Sequence, residues 1–171
     1  MLSTRSILRK VVPRTIQRVA LSTEAATEAA TSVTLNFSVP YESIYSGASV
    51  YQVIIPGVEG EYGVSAGHVP YVAQLKPGVL QIIHEEGASG ESEKYFVPGG
   101  YALTHPNSVT DVVCPEAVKL DDIDASAVQS QYESAKAAFG SAAAGSIEQA
   151  EAQIDMEVNR AMGLAIGLNL A

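Results

Sequence analysis

Cysteine, tryptophan, long apolar runs and, past the first thirty residues, positive charge are all scarce in this chain. Its 171 residues include one cysteine, Cys114. An internal disulfide is therefore excluded, and the usage fits a reducing compartment. Cys114 sits between "VTDVV" and Pro115, where a small buried hydrophobe at a strand end is a better reading than a reactive thiol. Tryptophan is absent and the tyrosines are scattered, which disfavours a concave aromatic ligand site. No apolar run approaches the roughly 18 residues of a membrane span. There is no His-x-x-x-His and no Cys-x-x-Cys, so a zinc site of those spacings is not encoded.

Charge is divided unevenly. Arg5, Arg9, Lys10, Arg14 and Arg18 make up half of the ten basic residues, and no acid precedes Glu24. The arginine spacing lines one flank of a potential helix whose apolar side carries Leu2, Ile7, Leu8, Val11 and Val12. Serine, threonine and arginine without acids form the pattern of a mitochondrial transit peptide; a basic tail binding nucleic acid or anionic lipid is the alternative. "TEAATEAATS", Thr23 to Ser32, reads as a spacer, so residues 1–32 are expected to be transit peptide plus spacer, cut between about Ala20 and Ser32. Beyond residue 32, five basic residues (Lys76, Lys94, Lys119, Lys136, Arg160) face 17 acids, a formal balance of −12. Such a surface repels phosphate backbones and argues against nucleic acid as a partner.

What is present divides into two periodicities. From Val33 to about Lys119 short strands alternate with turns. Val33, Leu35, Phe37 and Val39 share one side of the first strand. "SIYSGASVYQVIIPG" is read as a turn at Ser46-Gly47 followed by an apolar strand. Pro77-Gly78, Gly87 to Gly90, Pro98-Gly99-Gly100 and Pro106-Asn107 punctuate the rest. Residues 33–119 are thus expected to form a β-sandwich or flattened barrel. Residues 120–171 are expected to form an antiparallel two-helix hairpin, so the fold class is mainly β plus α. Asp121, Asp122 and Asp124 suit a helix start, and Val128, Tyr132, Ala135 and Phe139 follow at spacings of 4, 3 and 4. After "GSAAAG", Ser146 and Gln149 fit a capping box. Ile147, Ala150, Ile154, Val158, Ala161, Ala165 and Leu168 then recur on one helical face.

The stretch "EGEYGVSAGHVPYVAQLKPG", Glu59 to Gly78, is the one place where unusual residues crowd together. Gly57, Gly60 and Gly63 recur every third residue, yet no Gly-Lys-Ser/Thr follows, and Glu59 and Glu61 would stand where phosphate oxygens must lie. A chain reversal presenting Glu61 and Tyr62 at its tip is the better account. His68 has no ligand spacing with His84 or His105; "GHVP" reads as a turn, its imidazole bonded to neighbouring backbone or offered to a partner. A calcium loop starting at Asp121 fails, because its sixth and twelfth places hold Ser126 and Tyr132 instead of glycine and glutamate.

In sequence order these features resemble one family. "GVEGEYGVSAGHVPYVAQLKPGVLQI" is similar to the signature stretch of the F-type ATP synthase subunit called epsilon in bacteria and chloroplasts and delta in mitochondria. "KYFVPGGYA" resembles its later Gly-Gly segment. "EAVKLDDIDASAVQSQYESAKAAF" and "SIEQAEAQIDMEVNRAMGLAI" resemble its helical hairpin, so the likeness spans about Leu35 to Ile166. The targeting segment selects the mitochondrial, delta-type branch.

The resemblance implies a noncatalytic rotor subunit of the central stalk, on the matrix face of the inner membrane. Its partners would be the gamma subunit, the small mitochondrial epsilon subunit and the c-ring, and it would have no cofactor or metal. The resemblance assigns the ring and stalk contact to Glu61, Tyr62, Gly63, His68, Val69 and Pro70. A solvated turn acid is the competing reading of Glu61, and a free-standing ligand-binding β-sandwich of the matrix is the competing reading of the whole chain. Some bacterial relatives bind regulatory ATP through Ile/Leu-Asp-x-x-Arg-Ala; the matching stretch here, Ile123 to Val128, has Ala127 in place of the arginine. No tight nucleotide binding is therefore expected.

Overall fold

The computed structural model describes residues 31–87 and 92–170. The expected transit peptide lies outside the described residues, apart from the end of its spacer. Ten strands come first: β1 (Val33–Val39), β2 (Glu42–Val50), β3 (Gln52–Gly57), β4 (Gly60–Ser65), β5 (Tyr71–Leu75), β6 (Gly78–Ile83), β7 (Ser92–Val97), β8 (Gly100–Thr104), β9 (Val109–Val113) and β10 (Val118–Lys119). A 3-10 turn at Leu120–Asp122 leads into α1 (Ala125–Ser141) and α2 (Ile147–Ala165). The expected sandwich followed by a helical hairpin is what forms.

The strands make one hydrogen-bonded path in the order β10-β7-β6-β3-β5-β8-β9-β1-β2, with β4 added to β3. Pairing is antiparallel except between β1 and β9, which run parallel. Between β3 and β5 the ladder shrinks to one pair, Gly57 with Leu75, and there the sheet folds over into two facing layers. Side chains at alternate positions meet between the layers. Val33, Leu35 and Phe37 of β1 join Leu80 and Ile82 of β6 and Val97 of β7 in one core cluster. Phe37 meets Tyr95 edge-on, with ring centroids 5.5 Å apart. Cys114 lies in the same cluster, and burial pushes its thiol up to about 12, as suits an inert core residue.

The turn expected at Ser46-Gly47 is instead a bulge inside β2. The β1–β2 register shifts between Leu35 and Phe37, opposite Gly47, whose φ of 67° belongs to the left-handed region. Asn36 stabilises this irregularity from the neighbouring strand. Its Oδ1 accepts from the Gly47 N–H (2.7 Å), while its Nδ2 donates to Asp111 Oδ1 (2.7 Å). A Ser-Gly pair alone does not distinguish a bulge from a turn; the β1 partner decides.

Asp124 caps α1, its Oδ1 accepting from the Ser126 N–H at 2.8 Å. Asp121 and Asp122 stand in the preceding 3-10 turn. Ser146 caps α2 by accepting from the Gln149 N–H at 3.2 Å. Gln149 reaches back one residue further than expected, to the Gly145 N–H at 2.8 Å. The α1 stripe is confirmed at Val128, Tyr132 and Ala135, which are buried, while Phe139 is half-buried. The α2 stripe is corrected. Ile147 is 75% exposed and Ile154 59%, whereas Ala152, Asn159 and Gly163 are the buried residues of that helix. Ala152 lies beside Ala135 and Ala138 of α1, where small side chains let the axes approach, and Gly163 leaves room for Leu170, on which a Cβ would press. At the far end a Schellman arrangement forms, Leu168 N–H bonding Gly163 O (2.8 Å) and Gly167 N–H bonding Leu164 O (3.2 Å). It returns Leu170 onto Val128 and Tyr132.

Candidate functional site

The β3–β4 hairpin, the loop at residues 66–70 and the outer side of β5 enclose a surface groove of about 540 Å³. The hairpin closes at Gly57–Gly60, with Pro56 opposite Glu61 and Ile55 opposite Tyr62. Its tip is therefore Val58-Glu59. Glu61 and Tyr62 stand one step down on β4, not at the tip as expected, because the pairing of two glycines brings the backbones too close for side chains there. A Cβ on Gly57 would lie 2.9 Å from the Gly60 carbonyl oxygen. Two bonds tie the hairpin to β5: Val58 N–H to Gln74 O (3.0 Å) and Lys76 N–H to Pro56 O (3.0 Å).

The opposite wall is a tight turn. The His68 N–H bonds Ser65 O at 3.1 Å, with Gly67 at φ 75° in the third position, the left-handed residue a type II turn requires. His68 Nδ1 then bonds the Val69 carbonyl at 2.8 Å, so the imidazole braces its own loop. Its ring lies 6.4 Å from that of Tyr62. Tyr62 is also edge-on to Tyr71, with centroids 5.6 Å apart. Burial pushes the Tyr62 phenol up to about 12, with Tyr71 adding to the effect. Among the described residues the Tyr62 hydroxyl has no hydrogen-bond partner, so the residue serves as an aromatic floor and not as an acid or base at neutral pH.

Of the six residues singled out from sequence, Glu61, Tyr62, His68 and Val69 line the groove together. Gly63 and Pro70 do not. Gly63 faces Ile54 in the ladder, where a Cβ would press on the Gln52 amide; Pro70 precedes β5. Sequence reasoning missed Val58 and Val72, which are 51% and 67% exposed and line the same groove. The signal was available in "YVAQL". Ala73 and Leu75 point inward, so Val72 must point outward, an aliphatic where alternation expects a polar residue. The groove thus offers exposed aliphatics around an aromatic floor, with the Glu61 carboxylate at its edge. That chemistry suits an apolar protrusion carrying a cation. Among the described residues no cluster of three or more His, Cys, Asp or Glu could hold a metal, and no helix is long and apolar enough to cross a membrane.

The sequence matches a family model described as ATP synthase, Delta/Epsilon chain, beta-sandwich domain, over residues 32–120. Similar proteins include ATP synthase subunit delta', mitochondrial, of Ipomoea batatas, 42% identical over 78% of this chain and 64% of that one. They also include ATP synthase subunit delta, mitochondrial, of Neurospora crassa, 41% identical over 74% of each. The chain thus spans just under two thirds of the length of the Ipomoea batatas relative. Its fold is similar to a chain in the Euglena gracilis mitochondrial ATP synthase structure of OSCP, F1 and c-ring. That match has a TM-score of 0.73 at 28% identity, covering 84% of this chain and 87% of that one. A chain of the Tetrahymena thermophila central stalk and c-ring shares the fold at a TM-score of 0.55 and 13% identity, over 77% of this chain and 94% of that one. With the sandwich, the hairpin and the signature stretch in place, the chain belongs to the ATP synthase delta/epsilon chain family.

Proposed function

We propose that this chain is a noncatalytic rotor subunit of the mitochondrial proton-transporting ATP synthase, joining the c-ring to the gamma subunit and passing torque between them. The observation that carries the reading is the Euglena gracilis match, which extends over 84% of the chain and therefore includes the hairpin as well as the sandwich. In this reading residues 1–32 are the import segment, residues 33–119 the coupling sandwich and residues 120–171 the hairpin. The protein works on the matrix face of the inner membrane, touching the small mitochondrial epsilon subunit as well. It carries out no reaction of its own.

The groove supplies the coupling contact. A body that passes torque must keep its orientation under load, and a loop braced by backbone bonds on a two-layer scaffold does so better than a mobile linker. Val58, Val69 and Val72 offer apolar contact area, and the Glu61 carboxylate orients against an arginine on a polar ring loop. A partly desolvated pair of that kind contributes about one to several kcal/mol when well bonded. Glu61→Arg is expected to weaken docking to the purified gamma–c-ring assembly at least about tenfold while leaving the fold intact. Docking and ATP synthesis unchanged by the substitution would rule out this contact. Cross-linking mass spectrometry of native complexes tests the larger claim. It should join residues 58–72 to gamma or ring peptides, whereas a free-standing ligand-binding sandwich would give cross-links to neither.

A further inference from the structure

We propose that Ser108 is the positioning residue of the groove, holding the loop at residues 66–70 in its docking shape from the adjacent β8–β9 turn. The proposal rests on the docking reading above for its purpose, but on separate geometry for its substance. Ser108 ends the β8–β9 turn and has a φ of 60°, the only positive value among the described non-glycine residues. It is 6% exposed. Its Oγ accepts from the Gly67 N–H at 2.9 Å, across 41 residues of sequence. Its carbonyl accepts from the Thr34 N–H at 2.9 Å, which anchors it to β1.

That side-chain bond matters because of what else holds the loop. Residues 66–70 belong to no strand. Their other hydrogen bonds, His68 N–H to Ser65 O and His68 Nδ1 to Val69 O, stay within the loop and its immediate stem. Among the described residues the Ser108–Gly67 bond is the only hydrogen bond that ties the loop to another part of the chain. A left-handed backbone favours glycine, asparagine or aspartate over serine. Glycine would adopt this φ without strain, but it has no oxygen to offer Gly67. Serine here accepts a disfavoured backbone conformation and supplies the one atom the loop needs. Without it, the loop must be ordered on contact, which lowers affinity.

Two variants separate these effects: Ser108→Gly relieves the backbone while removing the hydroxymethyl group, and Ser108→Ala deletes only the hydroxyl. Amide hydrogen exchange on the full chain should show the Gly67 N–H exchanging at least about tenfold faster in Ser108→Gly and in Ser108→Ala, with Leu80 and Ile82 amides unchanged. Docking of Ser108→Gly to the purified gamma–c-ring assembly should weaken about five- to tenfold. Gly67 exchange unaltered in both variants would overturn the proposal. So would a loosened Gly67 with undiminished docking, in an assay where Glu61→Arg does weaken it. If Glu61→Arg leaves docking intact, the docking reading falls instead, and Gly67 exchange alone decides whether Ser108 holds the loop.

Discussion

At the residue scale, Glu93 shows how much one side chain can organise. It lies on β7, where its carboxylate accepts from the Tyr95 hydroxyl at 2.9 Å and pairs with Lys119 Nζ at 3.1 Å and His84 Nε2 at 3.5 Å. The Tyr95 bond, opposed by partial burial and aided by Lys119, draws the Glu93 carboxyl down to about 2 from its ordinary 4.5. A folded-state value below the unfolded one means the stabilisation is complete above about pH 4.5 and is lost as pH falls toward 2. Glu93→Gln should therefore flatten the acid limb of stability in that window, measured by urea unfolding at stepped pH. Wild type and variant losing stability in parallel would show that Glu93 is not the group responsible. Gly100 poses a backbone question instead. Its φ is 138°, and a Cβ there would strike the Val113 carbonyl oxygen and press on Cys114. Gly100→Ala combines strain with overlap and should cost about 2 kcal/mol or more; a change under about 0.5 kcal/mol in chemical denaturation would contradict it.

At the element scale, α2 separates hydrophobicity from burial. Ile147, Ile154 and Leu164 face outward while Ala152 and Gly163 turn inward. Ile154→Lys should therefore shift the stability of the isolated protein by no more than about 0.5 kcal/mol, whereas Ala152→Leu should overpack the seam and cost about 1–3 kcal/mol. Urea unfolding of both variants checks this, and the reverse order would mean that the seam is assigned to the wrong face. The periodicity of α2 was legible in the sequence, but its facing was not. Helix pairs that approach closely choose small residues, and a moment computed from hydrophobicity points elsewhere. In β1, by contrast, Val33, Leu35, Phe37 and Val39 are all buried as alternation predicts, because a strand in a sandwich has only one inner side.

At the scale of the whole molecule, the two-layer fold gathers Val58 from the β3–β4 tip, His68 from a loop and Val72 from β5 around one groove, braced from the β8–β9 turn. The same acidic chain carries Asp124 as a helix cap at the start of the hairpin, and Ala127 gives that turn no cation to meet a phosphate. Calorimetry of the purified protein with MgATP should show no binding in the micromolar range. A micromolar affinity would refute this expectation and reopen nucleotide control of the hairpin.

The one-dimensional pattern settled the fold class, the inward side of β1, the acidic run that supplies the cap Asp124, and the cap Ser146. Each of these depends on spacing, turn chemistry or local hydrogen bonds within a few residues. The bulge at Gly47, the inward face of α2, the identity of the hairpin tip and the grip of Ser108 on Gly67 were decided only by the folded chain. They depend on which distant strand or helix lies alongside, and on whether there is room for a Cβ between them. Neither is a property of any window of sequence.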